Sequence, residues 1–240
     1  MLCKIAELLV EVPEAGDLVS RCQEYRYDSM GSEEGADVTI RTHLFLENPN
    51  PNPNLTENDW IYMVTGFDFQ CSLLKHQGMV LHSSAVELDG KAYLFSAPCG
   101  TGKSTHTRIW QSIFGEKAKV FNDDKPALRY RDGKWYAYGT PWCGKDGINL
   151  NRKVPVAGIC FLKQASENKI RRLSQQEAVQ KIVWQTMRQF NKAENLDLML
   201  SHVDSLVRSI SVFELENRPE PEAAQLSYET MRRAAEELGL

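Results

Sequence analysis

The chain has 240 residues, 42% of them hydrophobic, so it is long enough to bury a full core. Its net charge of −4 and isoelectric point near 5.8 exclude the basic surface that nucleic-acid-binding proteins present. No apolar run reaches membrane-spanning length, and the acidic N-terminal stretch lacks the features of a secretion signal. We therefore expect a cytoplasmic protein without nucleic-acid or membrane partners. Six scattered cysteines with no C-x-x-C pair indicate reduced thiols.

The N-terminal segment alternates apolar and polar residues in AELLVEV and ADVTIRTHLFL, which predicts strands of a small β-rich part. The tract NPNPNPN at residues 48–54 follows, and its alternate prolines exclude both a helix and a central strand. We therefore expect a small β-rich N-terminal part with an Asn/Pro loop over residues 1–54. Residues 55–240 are expected to form a nucleotide-binding core with C-terminal helices.

Helical spacing of apolar residues from Thr56 to His76 predicts a helix, which Gly66 is expected to break into two pieces. Gly78 is expected to end the second piece. Beyond it, Asp89-Gly90 and Asp132-Gly133 each separate two runs rich in strand-forming residues. Asp-Gly between such runs is a strong signal for a β-hairpin. We therefore predict two hairpins, one with its turn at Asp89-Gly90 and one with its turn at Asp132-Gly133.

Strands and helices continue to interleave in the second half. VPVAGICFL at residues 154–162 has the length and composition of a buried strand, and Ser174 with Glu177 forms a capping box for a helix to about Phe190. A short strand is predicted at 211–215, and Pro221 fits the first turn of a C-terminal helix. The pattern predicts an α/β (mixed α+β) fold whose mixed sheet contains antiparallel hairpins.

The segment SAPCGTGKST, between the strand KAYLF and a following helix, predicts a phosphate-binding loop. Glycines let backbone N–H groups turn towards an anion, the lysine reaches terminal phosphates, and the hydroxyl after it binds Mg²⁺. Ala97 stands where the pattern G-x-x-x-x-G-K-[ST] has its first glycine. We expect ATP and Mg²⁺ as ligands, and the predicted binding residues are Cys99, Gly100, Thr101, Gly102, Lys103, Ser104 and Thr105.

Two adjacent carboxylates, Asp123 and Asp124, follow one helix and one short strand after this loop. Successive side chains on an extended segment point different ways, so the two can divide two tasks: holding Mg²⁺ and accepting a proton from an incoming hydroxyl. We prefer Asp123 as the catalytic base and Asp124, with Ser104, as the metal ligand, although the sequence leaves this division open. A solvated acidic turn is the alternative. His82, on the preceding hairpin arm, is a further catalytic candidate beside Lys103.

Together, LHSSAVELDGKAYLFSAPCGTGKST and FNDDKPAL resemble the nucleotide core of the HPr kinase/phosphorylase family, which belongs with phosphoenolpyruvate carboxykinases. The matching positions are His82, the loop from Gly100 to Ser104, and the pair Asp123 and Asp124. The resemblance covers about residues 70–165. It implies a phosphoenolpyruvate carboxykinase-like P-loop core and a kinase that transfers the γ-phosphoryl group of ATP to a serine hydroxyl, with an aspartate as base aided by the histidine.

The glutamate that the family uses for a second metal contact is missing from YGTPWCGKDGINLN, and the C-terminal signature with which the family recognises HPr is not evident, so we expect an acceptor other than HPr. The chain resembles the compact members that accompany peptide-modification pathways, which implies a serine in a peptide, a small protein or free serine. A non-catalytic ATP-binding module and carboxykinase chemistry remain alternatives. The loop from Thr140 to Lys145 either faces the substrates or is a surface turn with Trp142 in the core. The oligomeric state, a homo-oligomer included, stays open.

Overall fold

The computed structural model describes residues 1–28, 35–41, 50, 52–186 and 193–240. The strands of this part are β1 (Leu2–Ile5), β2 (Leu8–Glu11), β3 (Val38–Thr39), β4 (Gly78–Val80), β5 (Ser83–Leu88), β6 (Lys91–Ser96), β7 (Lys119–Asp124), β8 (Ala127–Arg131), β9 (Lys134–Tyr138), β10 (Lys153–Gln164), β11 (Lys169–Arg172) and β12 (Val212–Asn217). Its α-helices are α1 (Leu18–Arg21), α2 (Glu57–Leu74), α3 (Lys103–Phe114), α4 (Gln175–Gln185), α5 (Ala193–Ser209) and α6 (Pro221–Glu237). None of these helices has the length and apolar composition required to cross a bilayer.

A nine-stranded mixed sheet forms the centre of the fold: seven strands follow the order β4-β8-β9-β10-β6-β5-β7, and β12, beside β10, and β11, beside β12, are the other two. Its longest strand, β10, pairs with β6 in parallel along one edge. Along the other edge it pairs first with β9, antiparallel, and then with β12, in parallel. The mixed α/β class and the mixed sheet predicted from the sequence are therefore confirmed.

Both predicted hairpins are confirmed, since β5 pairs antiparallel with β6 and β8 with β9. The structure also has the predicted capping box at Ser174 and Glu177, and Pro221 in the first turn of α6. The strands predicted at 154–162 and 211–215 correspond to β10 and β12. These elements carry strong local signals, which explains why periodicity and turn chemistry were enough to predict them.

Helices cover both faces of the central strands. Successive residues of β6 point to opposite sides, so Leu94 packs in one apolar cluster with α4 and α5, and Phe95 packs in another with α3 and α6. Phosphate-loop helix α3 is thus held between the sheet and the C-terminal helix. This packing fixes the start of α3 relative to the ends of β6 and β7.

A small sheet of β1, β2 and β3 forms the N-terminal part, with β1 antiparallel and β3 parallel to β2. Its apolar residues share one buried cluster with residues of α2, β8 and β9. Residues 42–46 of the predicted second strand lie outside the described residues, as do residues 48, 49 and 51 of the Asn/Pro loop. In the described part of that loop, Asn52 and Asn54 each donate a backbone N–H to the preceding asparagine side chain, at 3.0 Å.

Three expectations were wrong. Helix α2 runs unbroken through Gly66, where a Cβ would lie 2.9 Å from Cδ1 of Trp142; this glycine is present for packing, not to end the helix. Gly78 opens β4 and does not cap a helix. Helix α4 ends at Gln185, before the predicted end at Phe190, which itself lies outside the described residues.

Candidate active site

The phosphate loop lies between β6 and α3 and has the backbone conformation of an anion cradle. Gly100 has φ 78° and Gly102 has φ 109°, a region that L-residues rarely adopt. A Cβ at either position would meet no heavy atom closer than 4.0 Å, so conformation and not lack of space requires glycine here. Helix α3 begins at the next residue, and its first N–H groups lie at the end of the loop.

Lys103 crosses the loop, and its Nζ donates a hydrogen bond to the carbonyl oxygen of Ala97 at 3.2 Å. Burial lowers the pKa of Lys103, while attraction to Asp124, Cys99 and Asp123 opposes that shift. The Lys103 ammonium can exchange this carbonyl oxygen for a phosphate oxygen as its hydrogen-bond acceptor without leaving the loop. The residues therefore fit a nucleoside triphosphate.

Most of the predicted loop residues line a cleft of about 570 Å³. Thr101 is the exception: its N–H donates to Pro98, and its carbonyl accepts from Gln164. His82 and the acid pair also line this cleft, and the remaining walls come from α1, α2 and the segment after β9. Residues that line the cleft from these last three elements are Asp17, Leu18, Arg21, Asn58, Asp59, Ile61, Tyr62, Cys143, Gly144, Lys145 and Asp146.

Asp123 and Ser104 form the link between β7 and the phosphate loop. The Ser104 hydroxyl donates to Oδ2 of Asp123 at 2.8 Å, and Asp123 is 8% exposed. Gly144 holds the same residue from the other side, since its N–H donates to the Asp123 carbonyl at 2.5 Å. A hydroxyl and a carboxylate side by side are the oxygen ligands that Mg²⁺ takes from a protein when phosphates and waters supply the rest.

Metal binding here would rest on few protein ligands. Among the described residues, no group of three or more His, Cys, Asp or Glu side chains could hold a metal ion. Ser104 contacts Asp123, whereas the metal pair preferred from the sequence was Ser104 with Asp124. In the structure the partner of the Ser104 hydroxyl is therefore Asp123 and not Asp124.

Asp124 is held by partners from other elements. Its Oδ1 lies 3.2 Å from Nε2 of His82, and its Oδ2 accepts a hydrogen bond from the Tyr62 hydroxyl at 2.5 Å. Burial acts to raise the pKa of Asp124, but His82, the charge of Lys125 and the Tyr62 hydroxyl outweigh it, so the pKa is lowered. The carboxylate is therefore ionised at neutral pH.

His82 occupies the connection between β4 and β5, just before the hairpin arm on which it was expected. Its N–H donates to the Gln185 carbonyl at 3.0 Å, and its Nδ1 lies 2.9 Å from Oε1 of the same residue. Its own carbonyl accepts from Ser96, the last residue of the strand before the phosphate loop, at 2.7 Å. The imidazole is thus fixed between α4, the loop strand and Asp124.

The loop from Thr140 to Lys145 combines both alternatives left open by the sequence. Trp142 is 1% exposed, stacks on Phe69 with ring centroids 4.6 Å apart, and donates from Nε1 to Thr65 at 3.0 Å. It is a core residue. The next residues, up to Lys145, line the cleft.

Four residues not predicted from the sequence lie around His82, the acid pair and their contacts: Tyr62, Lys125, Gln185 and Arg21. Lys125 Nζ lies 4.0 Å from the centre of the Tyr62 ring, and burial lowers the pKa of this lysine against the attraction of Asp124. Because Lys125 directly follows the acid pair, the sequence did contain a signal for this residue. Tyr62, Gln185 and Arg21 come from distant helices and had no local signal.

The chain matches one family model and is distantly similar to solved structures. No curated protein matches the sequence. Among solved structures, the chain is similar to the HPr(Ser) kinase/phosphatase from Coxiella burnetii, with 10% sequence identity, over 65% of this chain and 88% of that one, at a TM-score of 0.37. A likeness this distant says nothing about activity. The family model described as SynChlorMet cassette protein ScmC matches residues 61–218, which is more than half of the 240 residues. The chain therefore belongs to the ScmC family of SynChlorMet cassette proteins.

Proposed function

We propose that this protein is an ATP- and Mg²⁺-dependent kinase that transfers the γ-phosphoryl group to a serine hydroxyl. The acceptor is a peptide, a small protein or free serine. We further propose that the core has the phosphoenolpyruvate carboxykinase-like P-loop fold, which the order of hairpin, phosphate loop, helix and acidic strand supports.

One observation carries the proposal: the two adjacent carboxylates have different partners in the same cleft. Asp123 accepts from Ser104 of the phosphate loop at 2.8 Å. Asp124 contacts His82 and Tyr62, and within the described part of the chain its side chain makes no hydrogen bond to the phosphate loop. A binding module needs the loop and a metal ligand, but it does not need a second ionised carboxylate held beside them.

The phosphate loop would hold the triphosphate of ATP. Backbone N–H groups around Gly100 and Gly102 and the start of α3 would bind phosphate oxygens, and Lys103 would neutralise the terminal phosphates. Ser104 and Asp123 would hold Mg²⁺, which neutralises phosphate charge when bound. This division of roles is the reverse of the one preferred from the sequence.

Asp124 would act as the catalytic base. The acceptor hydroxyl loses its proton to the Asp124 carboxylate, its oxygen bonds to the γ-phosphorus, and the bond from that phosphorus to the bridging oxygen of ADP breaks. Tyr62 and His82 keep the carboxylate in place and ionised. Phosphoryl transfer depends mainly on positioning and charge, which these few groups supply.

The test uses purified protein with γ-labelled ATP, Mg²⁺ and the products of the genes beside its own, because the family name describes a cassette protein. We expect label on one serine, located by mass spectrometry. Lys103→Ala and Asp124→Asn should each reduce transfer at least about 100-fold. Asp124→Asn should still bind ATP.

Asp204→Asn is the matched control, because this carboxylate lies in an exposed ion pair with Arg208 on α5. Near-normal transfer by Asp124→Asn would remove the base assignment. ATP binding by the wild type without transfer to any acceptor would favour the non-catalytic module.

A further inference from the structure

We propose that Arg21 is a catalytic residue whose guanidinium contacts the transferred phosphoryl group from the part of the cleft wall that α1 forms. This inference rests on the proposed function. It assigns a role in phosphoryl transfer to the N-terminal part of the chain, which sequence analysis treated as separate from the core.

Arg21 is anchored where the acid pair is held. Its Nη1 donates to the carbonyl oxygen of Cys143 at 2.8 Å, and Cys143 precedes Gly144, whose N–H holds Asp123. Its guanidinium carbon lies 5.2 Å from the centre of the Tyr62 ring, whose hydroxyl holds Asp124. The guanidinium of Arg21 is thus attached to the segment that holds Asp123 and lies over the tyrosine that holds Asp124.

The main chain of Arg21 is held independently of its side chain. Asn149 donates from Nδ2 to the Arg21 carbonyl at 2.7 Å, and the Tyr25 hydroxyl donates to the Asn149 carbonyl at 2.6 Å. These bonds attach α1 to the segment after β9. A change of the Arg21 side chain should therefore leave the cleft wall in place.

Arg21 has hydrogen-bonding capacity to spare. A guanidinium carries five N–H donors in a planar fork. Within the described part of the chain, only its Nη1 has a hydrogen-bond acceptor, which is Cys143. Because Arg21 lines the cleft, the remaining donors are available to a ligand there. Planar forks of this kind match phosphate oxygens.

The cleft needs a second fixed cation. Five carboxylates line it. A phosphoryl group in transfer spreads negative charge over three oxygens, and the single ammonium of Lys103 can contact only part of that group. The other cations are less suitable: Arg108 pairs with Asp146 at 2.5 Å and is 64% exposed, and Lys125 lies against the Tyr62 ring outside the lining. Lys145 lines the cleft but is exposed.

The experiment measures binding, so it does not need the acceptor. Wild-type protein, Arg21→Gln and Arg21→Lys are titrated by calorimetry with ADP and Mg²⁺, in the presence and absence of aluminium fluoride, which imitates a phosphoryl group in transfer. Glutamine keeps a donor for Cys143 and a flat group over Tyr62 but has no charge. Arg208→Gln, on the exposed surface of α5, is the control.

We expect ADP alone to bind every variant within about twofold of the wild type. The gain in affinity with aluminium fluoride should fall about 100-fold in Arg21→Gln, should be restored only in part by Arg21→Lys, and should be unchanged in the control. A purely structural role would instead weaken ADP binding and lower the unfolding temperature as well.

An unchanged fluoride gain in Arg21→Gln would overturn the role of Arg21, and the proposed kinase would still stand if Lys103→Ala loses the complex. A wild-type protein that binds neither ADP nor its fluoride complex would overturn both proposals.

Discussion

Acid should destabilise the folded protein through His106. This histidine lies in α3, two residues after Ser104, but it is 1% exposed and faces the core. Its Nε2 lies 3.2 Å from the hydroxyl oxygen of Ser227 on α6, and its ring packs on Phe95 with centroids 4.6 Å apart. Nδ1 has no hydrogen-bond partner among the described residues. Burial lowers the pKa of His106 from 6.5 to about 4.

The size and sign of the effect follow from this shift. The folded state keeps His106 neutral, whereas the unfolded chain takes up a proton once the pH falls below 6.5. Stability is therefore complete above that pH, falls as the pH drops towards about 4, and then levels off. A difference of about 2.5 pKa units corresponds to about 3 kcal/mol, of which about 2 kcal/mol develops between about pH 7.5 and pH 5.

Urea unfolding of the metal-free and nucleotide-free protein at these two pH values measures the effect. In His106→Gln the amide can still reach Ser227 but does not titrate, so this variant should lose about 2 kcal/mol less than the wild type on acidification. His76→Gln removes a different, half-buried histidine and serves as the control. Equal losses in His106→Gln and the wild type would show that His106 does not remain neutral in the folded state.

Two further predictions concern the support of the site. Tyr62→Phe removes the hydroxyl donor to Asp124, so the pKa of that carboxylate should rise. Phosphoryl transfer should fall at least about tenfold, and the acidic limb of the pH–rate profile should move to higher pH. Gln185→Leu removes the partner of His82 Nδ1 and should reduce transfer about tenfold, with ¹⁵N shifts of the ring reporting a changed tautomer; the exposed Gln225→Leu is the control, and unchanged ring shifts would rule out the positioning role.

Local signals accounted for much of the fold, and their failures have physical reasons. Gly66 was expected to break α2, but a glycine in a helix also allows a large side chain to approach, and Trp142 occupies that space. Helix α5 was not assigned, although Met199, Val203 and Leu206 recur at helical spacing and are buried. That omission was avoidable, since the pattern was present.

The candidate site likewise contains residues that the sequence predicts and residues that it does not. The phosphate loop, the acid pair and His82 lie on consecutive elements, so motif spacing was enough to select them. Tyr62 reaches Asp124, and Gln185 reaches His82, from helices that are distant in sequence, and only the packing of α2 and α4 against the sheet brings them there. No pattern in a single sequence contains that packing.

The backbone conformation of Asp124 distinguishes a functional pair of carboxylates from a solvated acidic turn. Neighbouring side chains on a regular strand point to opposite faces, yet Asp123 and Asp124 both line one cleft. The chain achieves this with φ 115° at Asp124, a conformation that costs a non-glycine residue about 1–3 kcal/mol. A solvated turn would relax that strain or use glycine. Here Tyr62 and His82 hold the strained residue in place, so the surrounding structure maintains a geometry that brings two carboxylates to one cleft.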